Sequence, residues 1–391
     1  MKDKAIEKLI KSEQKRQKQV TNLIASENYV SKDVLSALGS ELTNKYAEGY
    51  SGKRYYGGNT IIDKVEDMAV ARALKLFGLS SNKWHVNTQP LSGSPANLAV
   101  YVGLLEKGDK VMGMSLDQGG HLTHGHKVSA TGKFWNQVPY GVSKKTETLD
   151  YKELMSIAMR EKPRMIIAGF TAYPRKIDWK KFRAIADACG AYLMIDMSHI
   201  AGLVAGRVYP SPFPYADIVT TTTHKTLRGP RGALIFAKKD ARELNKKIDK
   251  AVFPGLQGGP HMNQTAAIAV ALAEASTPAF RKYATQIVRN AHALAEELVA
   301  LGWRVISGGT DSHLILLDVW LDGKGIGGKE ASDRLEKVGI IVNKNAIPYD
   351  TRSPMDPSGI RLGTAGETTR GKKEKDMRAI ARKIDKVLRK K

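Results

Sequence analysis

The sequence predicts an α/β protein: a mainly parallel sheet flanked by helices, followed by a smaller C-terminal α+β unit. Short apolar or β-branched runs lie near 110–114, 134–140, 164–170, 191–196, 217–223 and 233–238. Helical patterns at 150–161 and 178–189 alternate with them, as in the strand–helix–strand units that build parallel sheets. Thr171, Asp196 and Lys225 fall at the carboxyl ends of three of these runs, where ligands gather in such sheets. Beyond Gly302 the pattern changes to shorter strands near 303–306, 313–319 and 340–343.

Composition bounds the possibilities. A chain of 391 residues can bury a large core and has room for two or three domains. We divide it into an arm at 1–20, a large domain at 21–277 and a small domain at 278–391. No apolar run reaches membrane-spanning length, and Met1-Lys2-Asp3-Lys4 leads into a charged segment rather than a signal peptide. Cys189 is the single cysteine, so an internal disulfide framework is excluded, and a reducing cytoplasm is the expected location. The net charge of +23 could attract nucleic acid, a membrane surface or anionic substrates. Much of it crowds the ends, at Lys8, Lys11, Lys15, Arg16 and Lys18 and again at Lys372, Lys373, Lys375, Lys386, Arg389, Lys390 and Lys391. Neither zinc-finger spacing nor an RNA-binding aromatic signature accompanies it, which favours a solvated basic surface.

Taken in order, residues 4 to about 20 read as an amphipathic, Lys-rich helix, and Thr21 to Asn28 as a polar loop carrying Ser26. Ser31 is placed to cap a helix holding Val34, Leu35 and Leu38, which Gly39 ends. Residues 42–60 scatter Tyr46, Tyr50, Tyr55 and Tyr56 among glycines, with Glu48 and Arg54 between them, and fit neither helix nor strand. A long ordered loop of this kind is usually functional; the plainer alternative is a surface loop with aromatic anchors. A helix follows at 61–77 with Ile62, Val65, Met68, Ala69, Leu76 and Phe77 near its buried stripe. In Leu91-Ser92-Gly93-Ser94-Pro95-Ala96-Asn97, Ser94 reads as an N-cap and Pro95 as the first helical residue. Such a helix start offers free N–H groups and a favourable dipole to an anion, as any capped helix does.

His121, His124 and His126 lie close together near Asp117, a grouping that could suit zinc, although we expect no metal there. Phe253 to Pro260 is a glycine-rich turn before an Ala-rich helix at 263–275, and a long helix runs over 279–301. Gly323 to Lys329 approaches a phosphate-binding motif, but Glu330 stands where Ser or Thr would be needed. Residues 345–358 form a Pro/Ser/Asp loop before Arg361, a residue type suited to gripping a carboxylate or to forming a surface ion pair. Met377, Ile380, Ile384, Val387 and Leu388 follow helical spacing in a closing helix.

The chemistry concentrates around Thr220-Thr221-Thr222-Thr223-His224-Lys225-Thr226. A lysine ending a buried strand either snorkels to solvent or is a desolvated nucleophile for aldehydes, the chemistry that attaches pyridoxal phosphate. Asp196 ends another buried run and could hold a pyridinium proton, which favours the second reading.

The chain resembles the serine (glycine) hydroxymethyltransferase family. The resemblance rests on Asn22-Leu23-Ile24-Ala25-Ser26-Glu27-Asn28-Tyr29, on Thr43 to Gly58, on Gly119-Gly120-His121-Leu122-Thr123-His124-Gly125, on Thr220 to Gly232 and on Ser358-Gly359-Ile360-Arg361. These blocks come in family order over roughly residues 20 to 370. The resemblance implies a sheet of about seven strands of the aspartate-aminotransferase-like, pyridoxal-phosphate fold type I. It implies reversible transfer of the serine hydroxymethyl group to tetrahydrofolate, with pyridoxal 5′-phosphate as cofactor, in a homodimer with shared sites. Lys225, Glu48, His224 and Tyr56 are the implied catalytic residues. Gly93, Ser94, His121, Thr171, Asp196, His199, Tyr46, Gly258 and Gly259 are implied to bind the cofactor, with Tyr46, Glu48 and Tyr56 reaching the neighbouring subunit's site. Ser26, Tyr56, His199 and Arg361 are implied for the amino acid, and Leu116, Gly120, His121, Leu122, Asn345 and Ser353 for the folate. Pro95 stands where the family usually has glutamine, Gln118 where histidine is common, and Thr364-Ala365-Gly366 where Thr-Pro-Ala is usual. Three alternatives stay open: a folate-independent β-hydroxy amino acid aldolase of threonine type, a modified pterin carrier, and a basic RNA-binding protein on a dead scaffold. The presence of every expected catalytic residue weighs against the last.

Overall fold

A computed structural model describes residues 1–390; Lys391, in the predicted basic C-terminal cluster, lies outside the described residues. Seven strands form the main sheet in the order Trp84–Asn87, Ala233–Lys238, Ile218–Thr222, Tyr192–Asp196, Met165–Gly169, Lys110–Met114, Asn136–Tyr140. Ala233–Lys238 alone runs against its neighbours; the rest share one direction. The strand at Trp84–Asn87 was not anticipated. Its four residues are too few for a clear alternation, and its polar His85 and Asn87 find their partner only in the fold, each 2.8 Å from Asp249 Oδ1.

The central strands Met165–Gly169 and Ile218–Thr222 are buried throughout, as strands covered by helices on both faces must be. Burial of the threonine run is tolerable because its hydroxyls are satisfied: Thr220 donates to Asn97 Oδ1 at 2.8 Å, Thr221 to the Thr222 carbonyl and Thr223 to the Pro230 carbonyl. Tyr151–Glu161 and Trp179–Cys189 are helices capped by the Asp150 and Asp178 side chains, close to the predicted bounds.

The second sheet is antiparallel, ordered Arg304–Val305, Leu314–Asp318, Gly359–Gly363, Asn343–Asn345. Its core joins Ile315, Leu317, Ile360 and Leu362 to Met377, Ile384 and Leu388 of the closing helix, Glu374–Leu388. The helix Pro278–Ala300 links the two cores, with Phe280, Ala284 and Ile287 in the first and Leu294 and Leu298 in the second.

Several local expectations change. Thr21–Asn22 is not loop but a strand pairing with Ile340–Ile341, and Leu23 is fully buried. In the helix Thr60–Phe77 the buried stripe takes in Glu66, whereas Met68 is exposed. Glu66 is admitted because Arg54, itself buried, pairs with it, and Gln89 donates to it at 2.7 Å. Residues 42–60 contain a short 3₁₀ turn and a minimal hairpin, Gly49–Tyr50 with Lys53–Arg54, cross-braced by Arg54. The arm is the helix Lys4–Gln19, capped by Asp3, with no buried residue. No helix among the described residues is long and apolar enough to cross a membrane.

Candidate active site

A cavity of about 340 Å³ opens at the carboxyl ends of Met165–Gly169, Tyr192–Asp196 and Ile218–Thr222. It brings together Ser26, Gly93, Ser94, His121, Thr171, Asp196, His199, His224, Lys225 and Arg361, all singled out from sequence. Ser92, Asn97, Ser198 and Arg231 also line it and were not anticipated. Of these, Asn97 carried a signal: a polar residue at the start of the apolar helical run Leu98 to Leu105.

Lys225 is buried on a turn that the chain pins from several sides. Gly229 N–H donates to the Thr223 carbonyl at 2.7 Å, Thr226 Oγ1 donates to the His199 carbonyl at 2.9 Å, and Asn28 Nδ2 donates to the Lys225 carbonyl at 2.8 Å. Burial pushes the ammonium down to about 8, with Arg361 and Arg231 adding to the fall and Asp196 opposing it. A substantial share of the amine is therefore neutral near physiological pH.

Asp196 accepts from Asn97 Nδ2 at 2.9 Å and Ser198 N–H at 3.0 Å, and lies 3.2 Å from His124 Nε2. Burial would raise its carboxyl, but the His124 contact, the Lys225 charge and the Ser198 hydrogen bond outweigh it and hold the group well below the usual carboxylate range. A buried carboxylate therefore stays charged at the cavity floor.

The three histidines of the His121 segment part company. His121 lines the cavity with Nδ1 accepting from Thr123 N–H, and burial together with His124 lowers it to about 4. His124 turns to Asp196, while His126 accepts from Val128 N–H. His224 is lowered to about 3, first by burial and then by Lys225 and Arg231.

Arg361 sits in the middle of Gly359–Gly363, a strand hidden in sequence behind a Ser/Pro loop. Its Nε donates to Asn343 Oδ1 at 3.1 Å and its Nη1 to the Thr171 carbonyl at 2.7 Å. Both partners are uncharged, and burial lowers the guanidinium to about 10. A buried cation held by neutral groups beside an open cavity is suited to a carboxylate ligand.

The helix at the cavity runs Gly93–Leu104 with Ser92 as N-cap, so the expected start at Ser94–Pro95 is corrected. Pro95 instead falls inside the first turn, where a missing N–H breaks no intrahelical bond. Gly93 is required: a Cβ there would stand 2.6 Å from Thr222 Cγ2. Ser92 makes no side-chain cap, so the first-turn N–H groups stay free for an anion. The donor set fits a phosphate-bearing aldehyde with a basic ring nitrogen: helix N-terminus, amine and buried carboxylate in one cavity.

Other predicted residues stand elsewhere. Tyr46, Glu48, Tyr56, Gly258 and Gly259 do not line this cavity. They form their own cluster, with Tyr46 OH donating to Glu48 Oε1 at 3.2 Å and Tyr46 and Tyr56 edge to face at 5.0 Å. A Cβ on Gly259 would touch the Tyr46 ring at 3.2 Å, and one on Gly258 would lie 3.1 Å from Glu48 Oε1. Tyr46 and Tyr56 are about half exposed. Leu116, Gly120, Leu122, Asn345 and Ser353 also lie outside the cavity lining. The Gly120 carbonyl accepts from Thr171 Oγ1 at 2.6 Å, and Leu122 helps line a neighbouring, more apolar cavity of about 410 Å³. Asn345 Nδ2 donates to the Ala346 carbonyl and Ser353 Oγ accepts from Met355 N–H.

A family model described as serine hydroxymethyltransferase matches residues 1–384. A relative named serine hydroxymethyltransferase, from Desulfotalea psychrophila (strain LSv54 / DSM 12343), is 55% identical over 386 residues, covering 99% of this chain and 88% of the relative. A match of this length, together with the sheet and the lysine–aspartate cavity, shows that the chain belongs to the serine hydroxymethyltransferase family.

Proposed function

We propose that the protein transfers the hydroxymethyl group of L-serine reversibly to tetrahydrofolate, giving glycine and 5,10-methylenetetrahydrofolate, with pyridoxal 5′-phosphate as cofactor. The observation that carries this reading is the buried Lys225 amine sharing one cavity with the charged Asp196 and the carboxylate-free Arg361. Lys225 would hold the cofactor's aldehyde carbon, Asp196 its ring nitrogen, His121 its ring face, and Gly93 and Ser94 its phosphate. When bound, the cofactor supplies an electron sink for charge developing at the substrate Cα. Arg361, with Ser26 and His199, orients the amino-acid carboxylate. Thr171, whose hydroxyl is anchored on the Gly120 carbonyl, would contact the cofactor ring region.

Glu48 is the proposed acid and base at the hydroxymethyl oxygen. Its cluster with Tyr46, Tyr56, Gly258 and Gly259 stands apart from its own chain's cavity and is half exposed, which supports a homodimer in which that cluster completes the partner's site. Leu116, Gly120, Leu122, Asn345 and Ser353 are proposed for the folate. A single, part-buried cysteine supports a cytoplasmic location.

The test is incubation with serine, with and without tetrahydrofolate, and measurement of glycine. Folate-dependent glycine is expected. Equal glycine in both arms would point to an aldolase instead.

A further inference from the structure

His199 and His313 meet where the two sheets adjoin. His199 follows the strand Tyr192–Asp196; His313 precedes the strand Leu314–Asp318, 114 positions later in the chain. Both are buried, at 2% and 0% exposure. His199 Nδ1 lies 3.3 Å from His313 Nε2, with the ring planes 26° apart. The same His313 Nε2 lies 3.2 Å from the Ala25 carbonyl oxygen.

This geometry decides where the protons sit. A carbonyl oxygen only accepts, so the contact with Ala25 is a hydrogen bond only if His313 Nε2 carries the hydrogen. The opposite tautomer would set a lone pair against that oxygen. It would also strand an N–H on His313 Nδ1, a buried atom with no hydrogen-bond partner among the described residues. Orphaned buried N–H groups are rarer than unused lone pairs. With His313 Nε2–H facing it, a neutral His199 must present a lone pair at Nδ1 and keep its hydrogen on Nε2. That Nε2 has no hydrogen bond within the described chain and is not among its sealed, unpartnered polar atoms, so it opens on the cavity that His199 lines.

We propose that His313 is a positioning residue: it holds His199 as the Nε2–H tautomer, so that a donor rather than a lone pair faces the substrate carboxylate beside Arg361. The same Nε2–H, shared between the two acceptors, ties down the Ala25 carbonyl, next to Ser26 in the cavity wall. The substrate half of this inference rests on the proposed function; the tautomer half does not.

The experiment uses the holoenzyme labelled with ¹⁵N-histidine, as wild type, His313→Gln and His313→Leu. Glutamine can place an amide N–H near the lost Nε2 position; leucine cannot. His199 signals are identified by their loss in His199→Ala. The expected wild-type ring shifts are those of Nε2–H, retained in His313→Gln and mixed with Nδ1–H in His313→Leu. In parallel, His313→Leu should raise KM for serine by the inverse of the Nε2–H fraction that remains, up to about tenfold where about a tenth remains, with kcat within about twofold. His313→Gln should return KM to within about threefold of wild type. A residue that merely packed would lower the melting temperature without moving the tautomer. An Nδ1–H tautomer at wild-type His199 would overturn the proposal, as would an equal rise in KM for the Gln and Leu variants. An Nε2–H tautomer with KM unchanged in His199→Ala would overturn the substrate contact itself.

Discussion

Arg361→Lys probes the carboxylate seat with the least disturbance. Arg361 is 9% exposed and gives Nε to Asn343 and one Nη1 hydrogen to Thr171. The other Nη1 hydrogen and the Nη2 pair stay free to form a parallel fork to a carboxylate. Lysine keeps the charge but loses the fork, so one hydrogen bond of the pair disappears. A hydrogen bond to a charged group contributes about 1.5–3 kcal/mol. Loss of one should weaken glycine or serine binding roughly ten- to 150-fold in Kd. The assay is calorimetric titration of the holoenzyme with glycine, serine and ethanolamine, which resembles serine without its carboxylate. Glycine and serine should weaken, while ethanolamine stays within about twofold. If all three weaken alike, Arg361 acts through the fold; if none weakens, the carboxylate sits elsewhere.

Three further outcomes follow from the same geometry. With Lys225 lowered to about 8, its neutral fraction should grow about tenfold per pH unit below 8 and level off above about 9. Acylation of Lys225 in cofactor-free protein, mapped by peptide mass, should track that curve; a rate still climbing at pH 10 would mark an ordinary lysine. Glu48→Gln and Lys225→Ala homodimers should both fail in folate-dependent turnover, yet subunit exchange should restore roughly a quarter of wild-type activity, because about half of randomly paired dimers carry one intact site. No recovery, with exchange shown by mass, would place Glu48 in its own chain's site. Glu66→Ala removes one of the two carboxylates paired with the Arg54 side chain, leaving Asp63 at 2.8 Å, and should cost about 1.5–3 kcal/mol in urea unfolding; a loss under about 0.5 kcal/mol would show the pair to be dispensable.

Much of the fold was legible because its signals are local. Buried strands read as apolar or β-branched runs, and Asp150 and Asp178 cap helices through neighbouring N–H groups. Strand ends carried Asp196 and Lys225 into view, and both do line one cavity. What stayed hidden depends on partners far along the chain. Trp84–Asn87 is a strand because Ala233–Lys238 pairs with it, and Glu66 is buried because Arg54 crosses to meet it. The helix at the cavity starts at Gly93 rather than at the better-looking Ser94–Pro95, where Gly93 packs against Thr222. Residue type and spacing alone thus determined six of the seven strands of the main sheet, most helices and the reactive groups at the strand ends. Only tertiary structure decided which charges survive burial: Asp196 is held ionised by Asn97, His124 and Lys225, and Arg361 is anchored on a carbonyl 190 residues away. Desolvation and hydrogen bonding act through space, and local sequence does not carry those distances.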